Sequence, residues 1–403
     1  MISALVAGIV AGYGIALPVG AIATYLIGLG VRERFQVSAA AALGVATTVG
    51  LFAAVAVAGG VGLQKLLRPP GRQTNQALLV VLLFAFATGV ATVAIGSPDG
   101  AWVAIGHGIC GVAVVLLIPW KSRVVRGGLR RARLSRWLSL LLAALALFTL
   151  IAGLGYATGL VRSIAGMPGL WVHIAVALTL VPLVVWHVWA RRIRPRRTDL
   201  SRRALVRAGA LAAGTAGLYA AGEAVVRGLG LPGARRRFTG SYETASFRPE
   251  AMPTTSWLLD AAPTVDPDRW RMTLKDGQGP RELTLAQLTA YDTPVRATLD
   301  CTSGWYSHQN WTGVPLGTLL HRGPGAQSVY VHSVTGYWVR FPIHDLDRLL
   351  LATQVGGAPL SADHGFPVRL VAPGRRGYWW VKWVDRIELQ TTQSWWQPPF
   401  PTG

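Results

Sequence analysis

The sequence predicts a multi-span α-helical membrane domain followed by a mixed α+β domain. Three observations carry this prediction. Met1 to about Arg237 is a series of apolar runs divided by arginine clusters, whereas Phe238 to Gly403 is mixed and proline-punctuated. The formal net charge of +21 is not shared between the halves: residues 1–239 hold 25 Lys+Arg against 4 Asp+Glu, and residues 240–403 hold 14 of each. The second half contains short strand-like runs and two short helical ones. Basic loops between apolar spans are the signature of a membrane protein's cytoplasmic face, so the charge excess argues for a membrane and against nucleic-acid binding.

The apolar runs come first. Residues 2–30 and 37–63 are each long enough to span, at about 20 residues per crossing, and small residues dominate both, which permits close helix packing. Residues 1–65 are therefore expected to form small-residue-rich membrane helices. Through the Gly/Pro-rich first run and the small-residue second run, they loosely resemble half of a LysE-type exporter. No cleavage site follows residues 1–30, so a removed signal peptide is not expected. Further runs are Ala77–Ile95, Trp102–Trp120, Trp137–Leu160, Leu170–Ala190 and Ala204–Val226. Lys121–Arg136 carries seven positive residues and no acid, and Arg191–Arg207 carries eight against Asp199 alone. Placing both loops in the cytoplasm gives about seven spans, a cytoplasmic N-terminus and an extracytoplasmic domain at 231–403. Ser201–Arg202–Arg203 before the Ala/Gly-rich last run resembles an internal, uncleaved Tat export signal, a route that carries folded, cofactor-loaded domains.

Three histidines fall within spans, where they are costly and mark function by default. His107 and His173 lie roughly 5–8 Å below the outer surface on two helices running the same way. Two imidazoles at one depth suit the axial positions of a b-type haem, with Gly106 and Gly108 expected to make room for the macrocycle. His187 lies 14 residues after His173, about 21 Å deeper at 1.5 Å per residue. Residues 66–230 resemble cytochrome b proteins in this spacing of two haem levels. A second haem lacks a partner histidine, since Trp120 and Lys121 occupy the facing position, so one haem is expected. The alternative is that all three histidines only hydrogen-bond between helices.

In the second half, strands are expected at Trp270–Leu274, Val295–Leu299, Ser328–Val334, Tyr337–Phe341, Val368–Val371 and Val381–Leu389, with a hairpin turn at Thr335–Gly336. Helices are expected near Leu285–Thr289 and Leu316–Leu320. Cys301 follows the second of these strands and precedes a turn at Thr302–Ser303–Gly304, so a rigid element delivers the thiol to a loop. A lone cysteine is commonly a small buried hydrophobe. An unpaired thiol in an extracytoplasmic domain, however, calls for a cap such as a metal; Cys110, within an apolar run, cannot serve as a disulfide partner.

Three blocks carry a specific resemblance. Ala297-Thr-Leu-Asp-Cys301, with Gly304-Trp305 and Trp311-Thr-Gly-Val-Pro-Leu316, resembles the molybdenum-binding core of the sulfite oxidase family. Gly357-Ala-Pro-Leu360 and Asp363-His-Gly-Phe-Pro-Val-Arg-Leu-Val-Ala-Pro-Gly374 resemble its pterin-binding stretch. Tyr378-Trp-Trp-Val-Lys-Trp383 with Asp385-Arg-Ile-Glu-Leu389 resembles the lysine-bearing strand that follows. The resemblance covers about 150 residues and implies the family's mixed α+β molybdopterin-binding fold. It implies Cys301 as the thiolate ligand of molybdenum and as the catalytic centre's protein ligand. It further implies Arg369 and Lys382 as cations for the pterin phosphate, and His364 and the main chain around Trp380 and Val381 as further cofactor contacts. Tyr306, His308, Tyr337 and Arg340 are candidates for the mouth of the site, while tryptophans 305, 311, 379, 380 and 383 are expected in the core and against the pterin. The sequence reaches Gly403 soon after Leu389 without the immunoglobulin-like dimerisation domain of classical sulfite oxidases, and no soluble haem domain precedes the core. The expected activity is therefore reduction of an S- or N-oxide, with sulfite oxidation as the alternative. Electrons are expected to pass through the haem to or from the quinone pool, with membrane lipid and a small-molecule substrate as the other partners. The rival reading is a transport or sensor protein whose outer domain keeps the molybdenum fold as a non-catalytic binding module.

Overall fold

The computed structural model describes residues 71–398, apart from 130–134, 193–195, 197–198, 200 and 257–260. The apolar runs at 2–30 and 37–63, and with them the expected 1–65 domain and its exporter resemblance, lie outside these residues. The chain divides into two compact units. One holds the described residues of 1–88 and 105–234, and the other those of 89–104 and 235–403.

The first unit is helical. Its helices are α1 (Gly71–Ala94), α2 (Ala101–Leu129), α3 (Ser135–Thr158), α4 (Gly169–Ala190) and α5 (Arg202–Gly228). A two-residue hairpin, β1 (Ser163–Ile164) with β2 (Met167–Pro168), joins α3 to α4. All five helices are long and apolar enough to cross a membrane. They run several residues past some of the apolar stretches, because a helix satisfies its own backbone bonds and continues into polar flanks such as Arg72 and Gln73. Ser201 caps α5, its Oγ accepting from the Ala204 N–H at 3.4 Å, so the Arg202–Arg203 pair forms the first turn of that helix. Arg72 holds Asp199 through two parallel bonds of 2.8 and 2.7 Å, and Gln76 adds a third of 2.7 Å. Arg207 donates to Gln73 at 2.9 Å. These bonds tie the start of α1 to the start of α5.

The second unit contains two sheets. The first is built on β7 (Trp305–Pro315), which pairs antiparallel with β6 (Thr293–Asp300) along its whole length, antiparallel with β10 (Leu350–Val355) and parallel with β3 (Tyr242–Glu243). β11 (Ala358–Pro359) and β12 (Arg369–Val371) both pair with β10. The second sheet has the order β5 (Gly279–Thr284), β4 (Arg271–Asp276), β13 (Val384–Gln390), β8 (Ser328–Ser333), β9 (Trp338–Pro342), in which only β13 and β4 are parallel. One continuous core joins the two, with Met272, Leu274, Trp311, Val331, Phe341, Leu351 and Ile387 at its centre. Helix α6 (Leu285–Thr289) opens with a capping box between Thr284 and Gln287, and α7 (Leu316–Leu319) follows β7 directly.

Two differences from the sequence expectations concern strands. β5, β7 and β10 were not expected. In β7 the inward positions include Ser307 and Gln309, both fully buried. Their polarity hides the apolar alternation; the Ala245 carbonyl accepts from Ser307 Oγ at 3.1 Å and from Gln309 Nε2 at 2.9 Å, while Gln309 Oε1 has no partner among the described residues. The expected strand Val381–Leu389 begins only at Val384. Trp383 has a φ of +52°, which no strand residue adopts, and Gly377–Trp379 forms a single 3₁₀ turn. Lys382 therefore projects from an irregular segment, not from a strand.

Candidate active site

Cys301 sits one residue past the end of β6, where Asp300 pairs with Tyr306 of β7. Its N–H donates to the Trp305 carbonyl at 2.9 Å, and its carbonyl accepts from Gly304 N–H at 3.1 Å, closing the expected turn. Beneath it lies a buried charged cluster. Asp300 Oδ1 accepts from Ser241 Oγ at 2.6 Å and from Arg376 at 2.9 Å, and Oδ2 accepts from Thr239 Oγ1 at 2.8 Å and Arg237 Nε at 3.0 Å. The second arm of Arg376, a residue only 1% exposed, donates to the Cys301 carbonyl at 3.1 Å. The cysteine's main chain is thus anchored in a buried polar network in which Arg376 Nε alone of the guanidinium nitrogens has no partner among the described residues. On its side-chain side, Ser303 Oγ lies 3.1 Å from Cys301 Sγ, and Thr255 Oγ1 lies 3.4 Å behind Ser303 Oγ.

Cys301 opens into a solvent-facing cleft whose walls include Thr255, Ser256, Tyr337, His364, Arg369, Trp380 and Lys382. Arg369 is buried, with its guanidinium 5.5 Å from the Trp311 ring centroid and 5.8 Å from that of Trp380. One arm donates to the His364 carbonyl at 3.1 Å, Nε has no partner, and no carboxylate among the described residues pairs with it. Burial lowers its pKa to about 10, against the attraction of Cys301. Lys382 lies over the Trp383 ring and donates to Ser256 Oγ at 3.1 Å. Gly365 separates the two cations: its φ is +108°, and a Cβ there would come within 3.2 Å of the Cβ atoms of both Arg369 and Lys382. His364 is held by both ring nitrogens. Nε2 lies 3.2 Å from the Met252 carbonyl and Nδ1 2.7 Å from Ser361 Oγ. Because a carbonyl only accepts, the proton is on Nε2 and Ser361 donates to Nδ1. Burial, and then the nearby Arg369, push the His364 pKa down.

A buried guanidinium without a counter-charge is costly until an anion joins it. A cleft that combines such a cation, a second cation at Lys382 and a soft sulfur donor fits a metal held by sulfur ligands on an anionic, phosphate-bearing pterin. Cys301, His364, Arg369, Trp380 and Lys382 all line this cleft. Val381 does not; it is buried in the core and its carbonyl accepts from Leu370 N–H at 2.8 Å.

Of the four expected mouth residues, only Tyr337 lines the cleft, with its hydroxyl donating to the Tyr378 carbonyl. Tyr306 and His308 point the other way from β7. Arg237 lies over the Tyr306 ring at 5.2 Å, and His308 stacks on Phe247 and meets Thr298 Oγ1 at 2.7 Å. Strand parity decides this, since Ser307 and Gln309 take the inward face. Arg340 belongs to the other sheet, over Trp338 and Tyr330. Trp305, Trp380 and Trp383 line the cleft, whereas Trp311 and Trp379 pack in the core. The residues that sequence reasoning missed are Ser303, Thr255, Asp300 and Arg376. The one available signal was an aspartate at the end of an otherwise strand-like run, immediately before the cysteine.

In the helical unit, His107 and His173 do come together. Their ring centroids are 6.1 Å apart with planes at 86°. His107 Nδ1 lies 2.9 Å from the Ala85 carbonyl, and His173 Nδ1 lies 2.9 Å from the Thr149 carbonyl. Each Nδ1 must therefore carry the proton, leaving Nε2 with a lone pair. On each ring Nε2 is thus the nitrogen able to bind a metal. Gly153 gives His173 its space, since a Cβ there would lie 2.9 Å from the ring. Gly108 has a different role from the one expected. A Cβ at this position would lie 2.3 Å from the Tyr219 ring, so Gly108 admits a tyrosine. His187 has a buried Nδ1 without a partner, Trp120 has a buried Nε1 without one, and Lys121 donates to Asn75 at 2.8 Å.

Comparison with known proteins bears on the second unit. Residues 260–396 match the family described as "Oxidoreductase molybdopterin binding domain". The chain is 28% identical over 174 residues to mitochondrial sulfite oxidase from Rattus norvegicus, covering 34% of this chain and 32% of that protein. It is 44% identical over 70 residues to nitrate reductase [NADH] 1 from Oryza sativa subsp. japonica, covering 17% of this chain and 7% of that protein. Among solved structures, the sulfane dehydrogenase SoxCD from Paracoccus pantotrophus matches at 25% identity with a TM-score of 0.31, over 32% of this chain and 40% of that one. The chain thus spans about a third, or less, of the length of these curated relatives. The match to an oxidoreductase molybdopterin-binding domain thus falls on the part of the chain that carries Cys301, His364, Arg369 and Lys382.

Proposed function

We propose that the chain is a membrane-anchored molybdenum oxidoreductase that transfers an oxygen atom at a metal held by Cys301. The observation that carries this reading is the meeting, in one cleft, of the Cys301 thiol and a buried Arg369 with no carboxylate partner among the described residues. In this reading Arg369 and Lys382 hold the anionic pterin, Trp380 packs against it, and His364 braces the wall between them. When bound, the molybdenum supplies two-electron oxygen-atom transfer, and the protein positions the substrate and excludes water. The cations of the described cleft walls are Arg369 and Lys382, both assigned here to the pterin. That supports a neutral S- or N-oxide as substrate over an anion such as sulfite.

The helical unit completes the proposal. Its five apolar helices support membrane insertion, and the positive-inside asymmetry of the arginine-rich loops supports an extracytoplasmic catalytic domain reached through the twin-arginine start of α5. His107 and His173 hold one b-type haem, which exchanges electrons with the quinone pool. The test is molybdenum and pterin content in full-length protein from a cofactor-producing host, wild type beside Cys301→Ser. About one metal per wild-type chain, with the metal site or activity lost in the variant, supports the enzyme reading. A wild-type chain with neither metal nor pterin overturns it and leaves a retained fold.

A further inference from the structure

We propose that Ser303 tunes the redox potential of the metal through a hydrogen bond to the ligating sulfur of Cys301. The inference rests on the molybdenum reading of the same cleft. Ser303 is a positioning and tuning residue here, not a ligand.

The geometry is specific. Ser303 is two residues past Cys301 in a turn whose closing bond runs from Gly304 N–H to the Cys301 carbonyl at 3.1 Å. That carbonyl is also fixed by Arg376 at 3.1 Å. The turn therefore cannot rotate freely, and it delivers the Ser303 hydroxyl to 3.1 Å from Sγ. Ser303 is 7% exposed. Among the described residues, its hydroxyl meets only the sulfur and Thr255 Oγ1, the latter at 3.4 Å. A buried hydroxyl costs free energy unless it is bonded, so both contacts matter for keeping a serine at this position.

Metal binding fixes the direction of the bond. A metal-bound thiolate has no proton, so its sulfur can only accept. Ser303 must then donate to Sγ, which leaves its oxygen free to accept from Thr255. Two hydroxyls in series, each polarising the next, end on the metal's own ligand. Hydrogen bonds to ligating sulfurs draw electron density from the metal and favour its reduced state. Ser303 thus raises the potential of the site above that of the same thiolate alone, so the electron donor populates the reduced metal more easily.

The experiment uses full-length, cofactor-loaded protein with Ser303→Ala, Ser303→Thr and Thr255→Val. Metal per chain is counted first. The molybdenum midpoint potential is then read by redox titration, and the sulfur-to-metal charge-transfer band by absorption. Ser303→Ala is expected to keep its metal, to move the midpoint to more negative values and to shift the band to lower energy. Poised at the wild-type midpoint, its reduced-to-oxidised ratio is expected to fall about tenfold, equivalent to 59 mV for a one-electron couple. Ser303→Thr keeps the hydroxyl and should restore both readings, and Thr255→Val should shift both a smaller distance in the same direction. Full metal content with an unchanged midpoint in Ser303→Ala overturns the inference. Loss of metal in both Ser303 variants overturns it too, because the residue is then needed for assembly. Absence of metal from the wild type is a separate result that removes the underlying molybdenum reading itself.

Discussion

Arg376 spans Asp300 and Cys301: one arm of its guanidinium lies 2.9 Å from the Asp300 carboxylate and the other 3.1 Å from the Cys301 carbonyl. Only a planar fork with two donor edges can do both at once. Arg376→Met leaves Asp300 with Arg237 as its remaining cation, and removing one partner of a buried pair costs about 3–5 kcal/mol. Chemical denaturation should show that loss, together with reduced metal content. Arg376→Lys reaches one partner only and should fall between the two. Adding Asp300→Asn to Arg376→Met should recover part of the stability, since the uncompensated charge is then gone.

Arg369 should behave oppositely in the empty and loaded protein. Without cofactor its buried charge is uncompensated, so Arg369→Met should leave the melting temperature of the apo protein unchanged or raise it. With cofactor the same variant lacks the cation that meets the anion. Cofactor affinity should drop at least tenfold, or about 1.4 kcal/mol. Thermal melts of apo and loaded protein, measured side by side, separate the two effects.

His107→Ala and His173→Ala should each replace the six-coordinate haem signal in a reduced-minus-oxidised spectrum with a five-coordinate one, because one remaining imidazole leaves an axial position open. Added imidazole should restore a six-coordinate spectrum in either variant. His187→Ala should leave the spectrum unchanged. Equal haem signals in all three variants would remove the haem from the proposal.

His364 should make the catalytic domain acid-sensitive. Its folded pKa lies below the ordinary histidine value of 6.5, so below that pH the folded chain binds fewer protons than the unfolded one. The stability this contributes is fully present above about pH 6.5 and is lost as pH falls through the lowered folded value. Protonation also puts a second donor on Nδ1, which faces Ser361 Oγ, and a charge close to Arg369. Denaturation measured across this range should show the loss in the wild type and a smaller one in His364→Gln.

By itself the sequence determined what depends on local or one-dimensional patterns. Apolar runs of about 20 residues correspond to the described helices α1 to α5, because hydropathy over one span needs no tertiary contact. Cys301 falls at the end of β6, before its turn, because strand and turn preferences act on neighbours. The three motif blocks named Arg369 and Lys382, and the fold brings both into the cleft that Cys301 opens.

Tertiary structure alone decided what those residues meet. β7 is the centre of its sheet, yet Ser307 and Gln309 on its buried face conceal it until the Ala245 carbonyl, some 60 residues away, accepts from both. Tyr306 and His308 are near Cys301 in sequence but are turned out of the cleft by strand parity. Arg376 and Asp300 look like separate surface charges and are buried together although they lie 76 positions apart. Polar groups become buried only when distant partners satisfy them, and no local pattern records which partners will arrive. The hold on the Cys301 carbonyl and the hydroxyl at its sulfur belong to that second class.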